Sequence, residues 1–288
     1  SGKPSSGNAT LAVPVDEISI DGQIVVRAPA LPDQILTVKL AARLTEKNEW
    51  AGQAQAEAPG LVVKAEGNYR PDDKELRFRV PEVSLDLARW QDFIQRLVVL
   101  PGGKWELAGQ LSGSAEGNAR GKDVTLAGRV QVRDGRFYYP DKKITLTGVD
   151  ADLVFDDMWN YHTPPGQTAH AKELKTGELT LSDVGVVFAI ESAEKIAVSH
   201  AILHVLGGTV TAEPFKVFAN QRELEVTVNA DGLDVTQILA IAPDIPARAS
   251  GKVDGRLPVR IDAGGVRLGT GWLALRPGVY AEVQFNAV

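Results

Sequence analysis

Apolar and polar residues alternate one by one along most of this chain. In Glu223–Asn229, Leu224, Val226 and Val228 are interleaved with Glu225, Thr227 and Asn229. Successive side chains of an extended strand point to opposite faces, so this pattern specifies half-buried strands. The same alternation occurs at Leu76, Phe78 and Val80; at Val124 and Leu126, then Val130 and Val132; at Ile144 and Leu146; at Leu153 and Phe155; and at Val186, Phe188 and Ile190. Between the runs stand Gly117-Asn118, Gly121, Asp134-Gly135, Gly148, Gly207-Gly208 and Asp231-Gly232. Residues of these types accept the positive φ of tight turns, which predicts antiparallel hairpins and meanders.

Two segments leave the alternation. Trp90, Phe93, Ile94 and Leu97 follow the spacing of one helix face, with Asp86 as N-cap, which predicts a helix near 87–99. A second helix is predicted near 235–242, after Asp234 and before Pro243. These helices expose an internal repeat. Gly60, Val62, Glu75, Leu76, Leu85 and Asp86 match Gly208, Val210, Glu223, Leu224, Leu233 and Asp234 at a constant offset of 148. The match continues from Gly109-x-Leu111-x-Gly113 to Gly251-x-Val253-x-Gly255, and from Val130-x-Val132-x-x-Gly135 to Val266-x-Leu268-x-x-Gly271. The expected division is an expression scar and mobile end over 1–10, a first unit of strands, helix and strands over 11–135, and a second over 136–288. The second copy breaks off at Val288, which predicts a slice of a longer array.

Charge and composition narrow the function. With 37 acidic against 31 basic side chains and no dense Lys/Arg run, nucleic acid is not an expected partner. The absence of cysteine excludes disulfides, thiolate metal sites and a cysteine nucleophile. No apolar run approaches the length of a membrane-spanning helix. His200 and His204 have the spacing of a helical metal pair, but their neighbourhood reads as strand, where residues four apart are too distant to chelate together. Asp150, Asp152, Asp156 and Asp157 resemble an acidic cluster, but Asp150, Asp152 and Asp156 alternate with Ala151, Leu153 and Phe155, as a solvated strand face does. Trp159–Gly166 reads as an aromatic loop on the sheet rim, and Gly102-Gly103-Lys104 lacks the rest of a phosphate loop. No catalytic residue, metal site or cofactor is expected, and the chain does not read as an enzyme.

What remains is the apolar sheet face. Two short helices cannot cover it, so either the sheet closes on itself into a sandwich or barrel, or it stays a trough open to acyl chains. In the first case it would be an assembly or adhesion module that binds protein through its edges. In the second, the lining would be Val124, Leu126, Val130, Val132, Ile144, Leu146, Leu153, Phe155, Val186, Phe188, Ile190, Leu224, Val226 and Val228.

The stretch from Leu206-Gly207-Gly208-Thr209-Val210 through Pro214-Phe215, Gly232-Leu233-Asp234-Val235, Gln237-Ile238-Leu239-Ala240 and Gly251-Lys252-Val253-Asp254-Gly255 resembles the YdbH family of AsmA-like, TamB-like bridge proteins. The likeness is detailed over Glu173 to Tyr280, more generic from Gly109 to Asp157, and reaches the first hundred residues only through the repeat. The resemblance implies a mainly β fold, an elongated, twisted, taco-like antiparallel groove whose apolar interior carries phospholipid acyl chains across the periplasm. It also implies an inner-membrane anchor outside this sequence, and a small outer-membrane lipoprotein, YnbE, adding a strand at the C-terminal edge.

Overall fold

A computed structural model describes residues 15–27, 33–45, 48–97, 104–177, 179–221, 223–240, 247–262, 265–276 and 284–285. The chain runs β1 (Glu17–Val26), β2 (Gln34–Leu44), β3 (Trp50–Ala58), β4 (Leu61–Arg70), β5 (Glu75–Asp86), α1 (Leu87–Leu97), β6 (Glu106–Arg120), β7 (Asp123–Tyr139), β8 (Ile144–Phe155), β9 (Gln167–Thr176) and β10 (Leu179–Ser192). It continues as β11 (Lys195–Val205), β12 (Gly208–Ala212), β13 (Phe215–Phe218), β14 (Glu223–Asp234), α2 (Val235–Ala240), β15 (Ala247–Arg248), β16 (Lys252–Asp262), β17 (Gly265–Leu268), β18 (Trp272–Leu275) and β19 (Gln284–Phe285).

Each strand from β1 to β11 pairs antiparallel with the next one in sequence. Beyond β11 the meander forks: β11 pairs with both β12 and β13, β14 with β12 and β16, and β16 with β17 and β18. The result is one 17-stranded antiparallel sheet, with β15 and β19 as a separate pair. Among the described strands β1 pairs only with β2, and β17 and β18 only with β16, so the sheet is open. The closed sandwich weighed from sequence is not formed.

Several predicted turns are bulges inside strands. Asp134 (φ 48°) and Gly135 lie in β7, Gly148 (φ 59°) in β8, and Asp231 and Gly232 (φ 63°) in β14, each next to a register shift or an unpaired residue. A bulge and a turn need the same positive-φ residues, so local composition does not separate them. Gly117-Asn118 is neither; it lies mid-strand in β6. A Cβ on Gly117 would stand 2.6 Å from the Phe78 ring and 2.6 Å from the Thr125 carbonyl, so the glycine leaves room for a cross-strand aromatic.

Both predicted helices form, with their caps. Asp86 Oδ1 accepts hydrogen bonds from the N–H groups of Ala88 (3.0 Å) and Arg89 (3.3 Å), and Asp234 Oδ1 accepts one from Thr236 (2.8 Å). The helices end at Leu97 and Ala240; residues 98–99 and 241–242 of the predicted spans lie outside the described residues. Each helix follows a strand that ends on the same long rim, β5 for α1 and β14 for α2, and β6 begins farther out than β5 ends. There α1 replaces the missing neighbour of β6: Gln91 accepts from the Leu107 N–H at 3.1 Å, and Gln95 donates to the Trp105 carbonyl. On α2, Val235 and Ile238 pack on Ala230, Leu233 and Val253.

The repeat is displaced by one residue at its start. A Cβ on Gly60 would meet Arg89 and Asp86, and one on Gly207 would meet Gln237 and Asp234, their counterparts at offset 148. The structural equivalent of Gly60 is therefore Gly207, not Gly208. The missing residue is recovered where the counterpart of the continuous β4 splits into β12 and β13 around Glu213-Pro214.

Candidate functional site: a continuous apolar sheet face

Residues opposite one another in an antiparallel ladder share a face, so the pairing registers carry face assignment from strand to strand. From Val130 the row runs to Gly113 and Val83 on one side and to Leu153 on the other. From Phe188 it runs to Gln167 and to Val198, then Phe215. From Val226 it reaches Val259, then Leu268. Followed through the bulges, these rows put all fourteen groove candidates on one face: Val124, Leu126, Val130 and Val132 of β7, Ile144, Leu146, Leu153 and Phe155 of β8, Val186, Phe188 and Ile190 of β10, and Leu224, Val226 and Val228 of β14.

The same face extends beyond the candidates in both directions. Toward β1 it takes in Leu61, Val63, Phe78 and Leu85, then Val38 and Leu40, then Ile18, Ile20 and Ile24. Phe137 and Tyr139 rejoin it past the Asp134 bulge, with Trp105 stacked beside Phe137 at 5.9 Å between ring centroids. The sequence pattern carries this extension weakly in β3, whose share of the face is Ala54, Ala56 and Ala58. Gln167 is a polar exception. It is buried, and its amide accepts from the Val154 N–H at 2.7 Å and donates to the Pro164 carbonyl at 2.8 Å, which stands in for a ladder bond that β9 does not reach.

No second layer covers this face among the described residues. Only eleven of their hydrophobic side chains are buried, while Ile20 and Ile24 are each 53% exposed and Leu268 is 67% exposed. Most of the face is half-buried by its own neighbours. An apolar area of this extent is larger than the scattered exposed hydrophobics of an ordinary globular surface and is of the kind found at interaction sites and ligand grooves.

The opposite face is polar and held by ion pairs between strands. Arg129 grips Asp152 through both carboxylate oxygens, one of them at 2.6 Å, and Gln131 adds a bond at 3.0 Å. These hydrogen bonds, that of Arg129 first, lower the Asp152 pKa to about 2. Arg256 clamps Glu213 at 2.7 and 3.0 Å and lowers its pKa. Lys64 meets Glu82 at 2.7 Å. Asp150 also lies here, bonded to the Asp134 N–H at 3.0 Å. His200 and His204 are both on β11, at strand spacing; His204 Nδ1 is 3.8 Å from Asp183, whose other oxygen is 4.0 Å from His170. Among the described residues no three metal-ligating side chains gather into a site. The Trp159–Gly166 loop does lie on the rim opposite the helices, pinned by Thr163, whose N–H donates to the Ile190 carbonyl at 2.9 Å. A cleft of about 910 Å³ near that rim has mixed walls, Ala42, Gly67 and Phe78 beside Arg43, Glu66 and Arg77.

The described residues thus form an open antiparallel sheet with one largely apolar face, uncovered among them, and one ion-paired face. The chain belongs to the YdbH-like family, that of the intermembrane phospholipid transport protein YdbH, which it matches over residues 5–280. No curated protein and no solved structure matches it. No helix among the described residues is long and apolar enough to cross a membrane.

Proposed function

We infer that this chain is a periplasmic segment of a phospholipid bridge between two membranes, working by sheltering acyl chains on its apolar sheet face. The observation that carries this reading is the continuity of that face from β1 to β18, with no described residue laid over it as a second layer. Fourteen strand-to-strand steps at about 4.8 Å make an apolar path of about 65 Å, roughly twice the thickness of a bilayer hydrocarbon core. Each Å² of acyl chain withdrawn from water contributes about 25 cal/mol, and a path of uniform polarity lets a chain shift along it without a large step in free energy.

In this reading no bond is made or broken, and the chain is not an enzyme. The two copies of the strand–helix–strand unit are successive turns of one conduit. The native protein is held in the inner membrane through a segment outside this sequence, and an outer-membrane lipoprotein resembling YnbE extends the sheet by strand addition, where main-chain hydrogen bonds supply the affinity. The test is direct. Photo-crosslinking residues at Phe188 and Val226 are expected to capture phospholipid in cells, and mass spectrometry of the purified protein to find phospholipid; absence of lipid in both would end the proposal.

A further inference from the structure

Among the described strands, consecutive strands β13 and β14 part along an internal seam. From β10 to β11 the register slips by one residue: Val187 pairs with His200 but Phe188 with Val198, so Ser199 is extra. As a result Val198 and Ala201, three apart, both lie on the apolar face. The next layer copies the slip, because Val198 pairs with Phe215 and Ala201 with Ala212. β14 does not; its apolar residues Leu224, Val226 and Val228 keep strict spacing. Continuing the ladder from Ala212–Val228 would set Phe215 of the apolar face against Glu225 of the polar face. The ladder therefore stops at the bond from the Glu213 N–H to the Thr227 carbonyl, 2.9 Å, and β13 and β14 remain unpaired although they are consecutive strands.

The two lips of this seam differ in polarity from inside to outside. Phe215, Val217, Leu224 and Val226 line the apolar side. On the outer side stand Lys216, which reaches Glu191 at 3.3 Å, and Glu225, which meets Arg260 at 3.4 Å. Between them the peptide groups of Lys216 and Glu225 point into the seam, since the bonds from Ala219 N–H to the Glu194 carbonyl and from Glu213 N–H to the Thr227 carbonyl fix the alternation, and among the described residues no ladder joins β13 to β14. A phospholipid has the same gradient: apolar chains, a band of hydrogen-bond acceptors, then a charged headgroup. An incoming peptide strand has no such gradient, and it would have to match two edges whose registers disagree.

We propose that the seam between β13 and β14 is a lateral gate where the groove wall parts to pass a phospholipid between the apolar face and the outside. This rests on the lipid reading above. Ordinary strands resist parting because every ladder bond must be broken; here they are already absent.

Because the chain has no cysteine, the gate can be clamped cleanly. In the full chain, Lys216→Cys with Glu225→Cys would be joined by a short, reducible dithiol linker, and Lys39→Cys with Gln55→Cys, partners in the unbroken β2–β3 ladder, would serve as control. The readout is exchange of fluorescent phospholipid with phosphatidylethanolamine/phosphatidylglycerol vesicles. Clamping the seam is expected to slow exchange about tenfold, with recovery on reduction, and the control to leave it unchanged. A photo-crosslinker at Lys216, with no linker, is expected to capture phospholipid, and one at Lys39 none. Exchange at the control rate through a clamped seam overturns the gate while leaving the groove reading intact, as does capture of protein instead of lipid at Lys216. Failure of the unclamped chain to bind lipid at all removes both.

Discussion

Val130→Asp tests the apolar face where it is most regular. Val130 sits mid-strand in β7 between Gly113 and Leu153, half-buried, with Val132 beyond it on the same strand. In the lipid-free protein water reaches this position, so the substitution forfeits only part of a valine's burial, about 1 kcal/mol. With an acyl chain over it the outcome differs, because a carboxylate keeps its water and holds the chain away. If about three methylenes lose contact at about 0.8 kcal/mol each, the loss is about 2.4 kcal/mol, a roughly fiftyfold weaker occupancy. The matched control is Thr125→Asp, exposed on the polar face of the same strand. Phospholipid per protein by mass spectrometry, with urea midpoints to show that both variants fold, gives the comparison. Equal lipid content in Val130→Asp and the parent, or equal loss in Thr125→Asp, would refute the assignment of the apolar face to acyl chains.

Other perturbations address the scaffold. Gly117→Ala forces a methyl against the Phe78 ring and the Thr125 carbonyl and should cost about 1–3 kcal/mol in urea unfolding, more than an alanine at exposed Gly22, which meets nothing. Asp86→Ala removes the α1 cap and should cost about 1 kcal/mol by the same measurement, with loss of helical circular dichroism. The Asp152 carboxyl has a folded-state pKa of about 2, below its usual value of 3.8, so its contribution is present above the unfolded value and lost as pH falls through the folded one. The stability gap between the parent and Asp152→Asn should accordingly be flat at neutral pH and close between about pH 4 and pH 2; a gap that persists at pH 2 would show that the Arg129 pair is not its source.

Individual strands were legible in the sequence because a two-residue period leaves a local trace that no other element mimics. Val130 with Val132 and Val186 with Phe188 needed no knowledge of their neighbours. The helices were legible for a similar reason, since Asp86 and Asp234 are caps whose partners lie two or three residues on. The joining of strands was not legible. Whether Asp134-Gly135 ends a strand or bulges it depends on what β8 offers across the gap, and the slip at Ser199 depends on β10. The alanines of β3 carry too little hydrophobicity to announce a face, yet across from Leu40 and Ala65 they complete it.

The meander has a consequence for how such a sheet is made. Among the described strands no two paired residues are farther apart along the chain than Glu75 and Arg120, 45 positions. Closing each new ladder thus costs the entropy of a short loop, whatever the total length. A sheet of this width would ordinarily fold slowly, through distant contacts. Here every strand serves as the template for the next, so growth can follow the chain from one end like a zipper, and stability becomes a sum of nearest-neighbour terms. Lengthening such a sheet by further units then adds folding time in proportion, without adding a search.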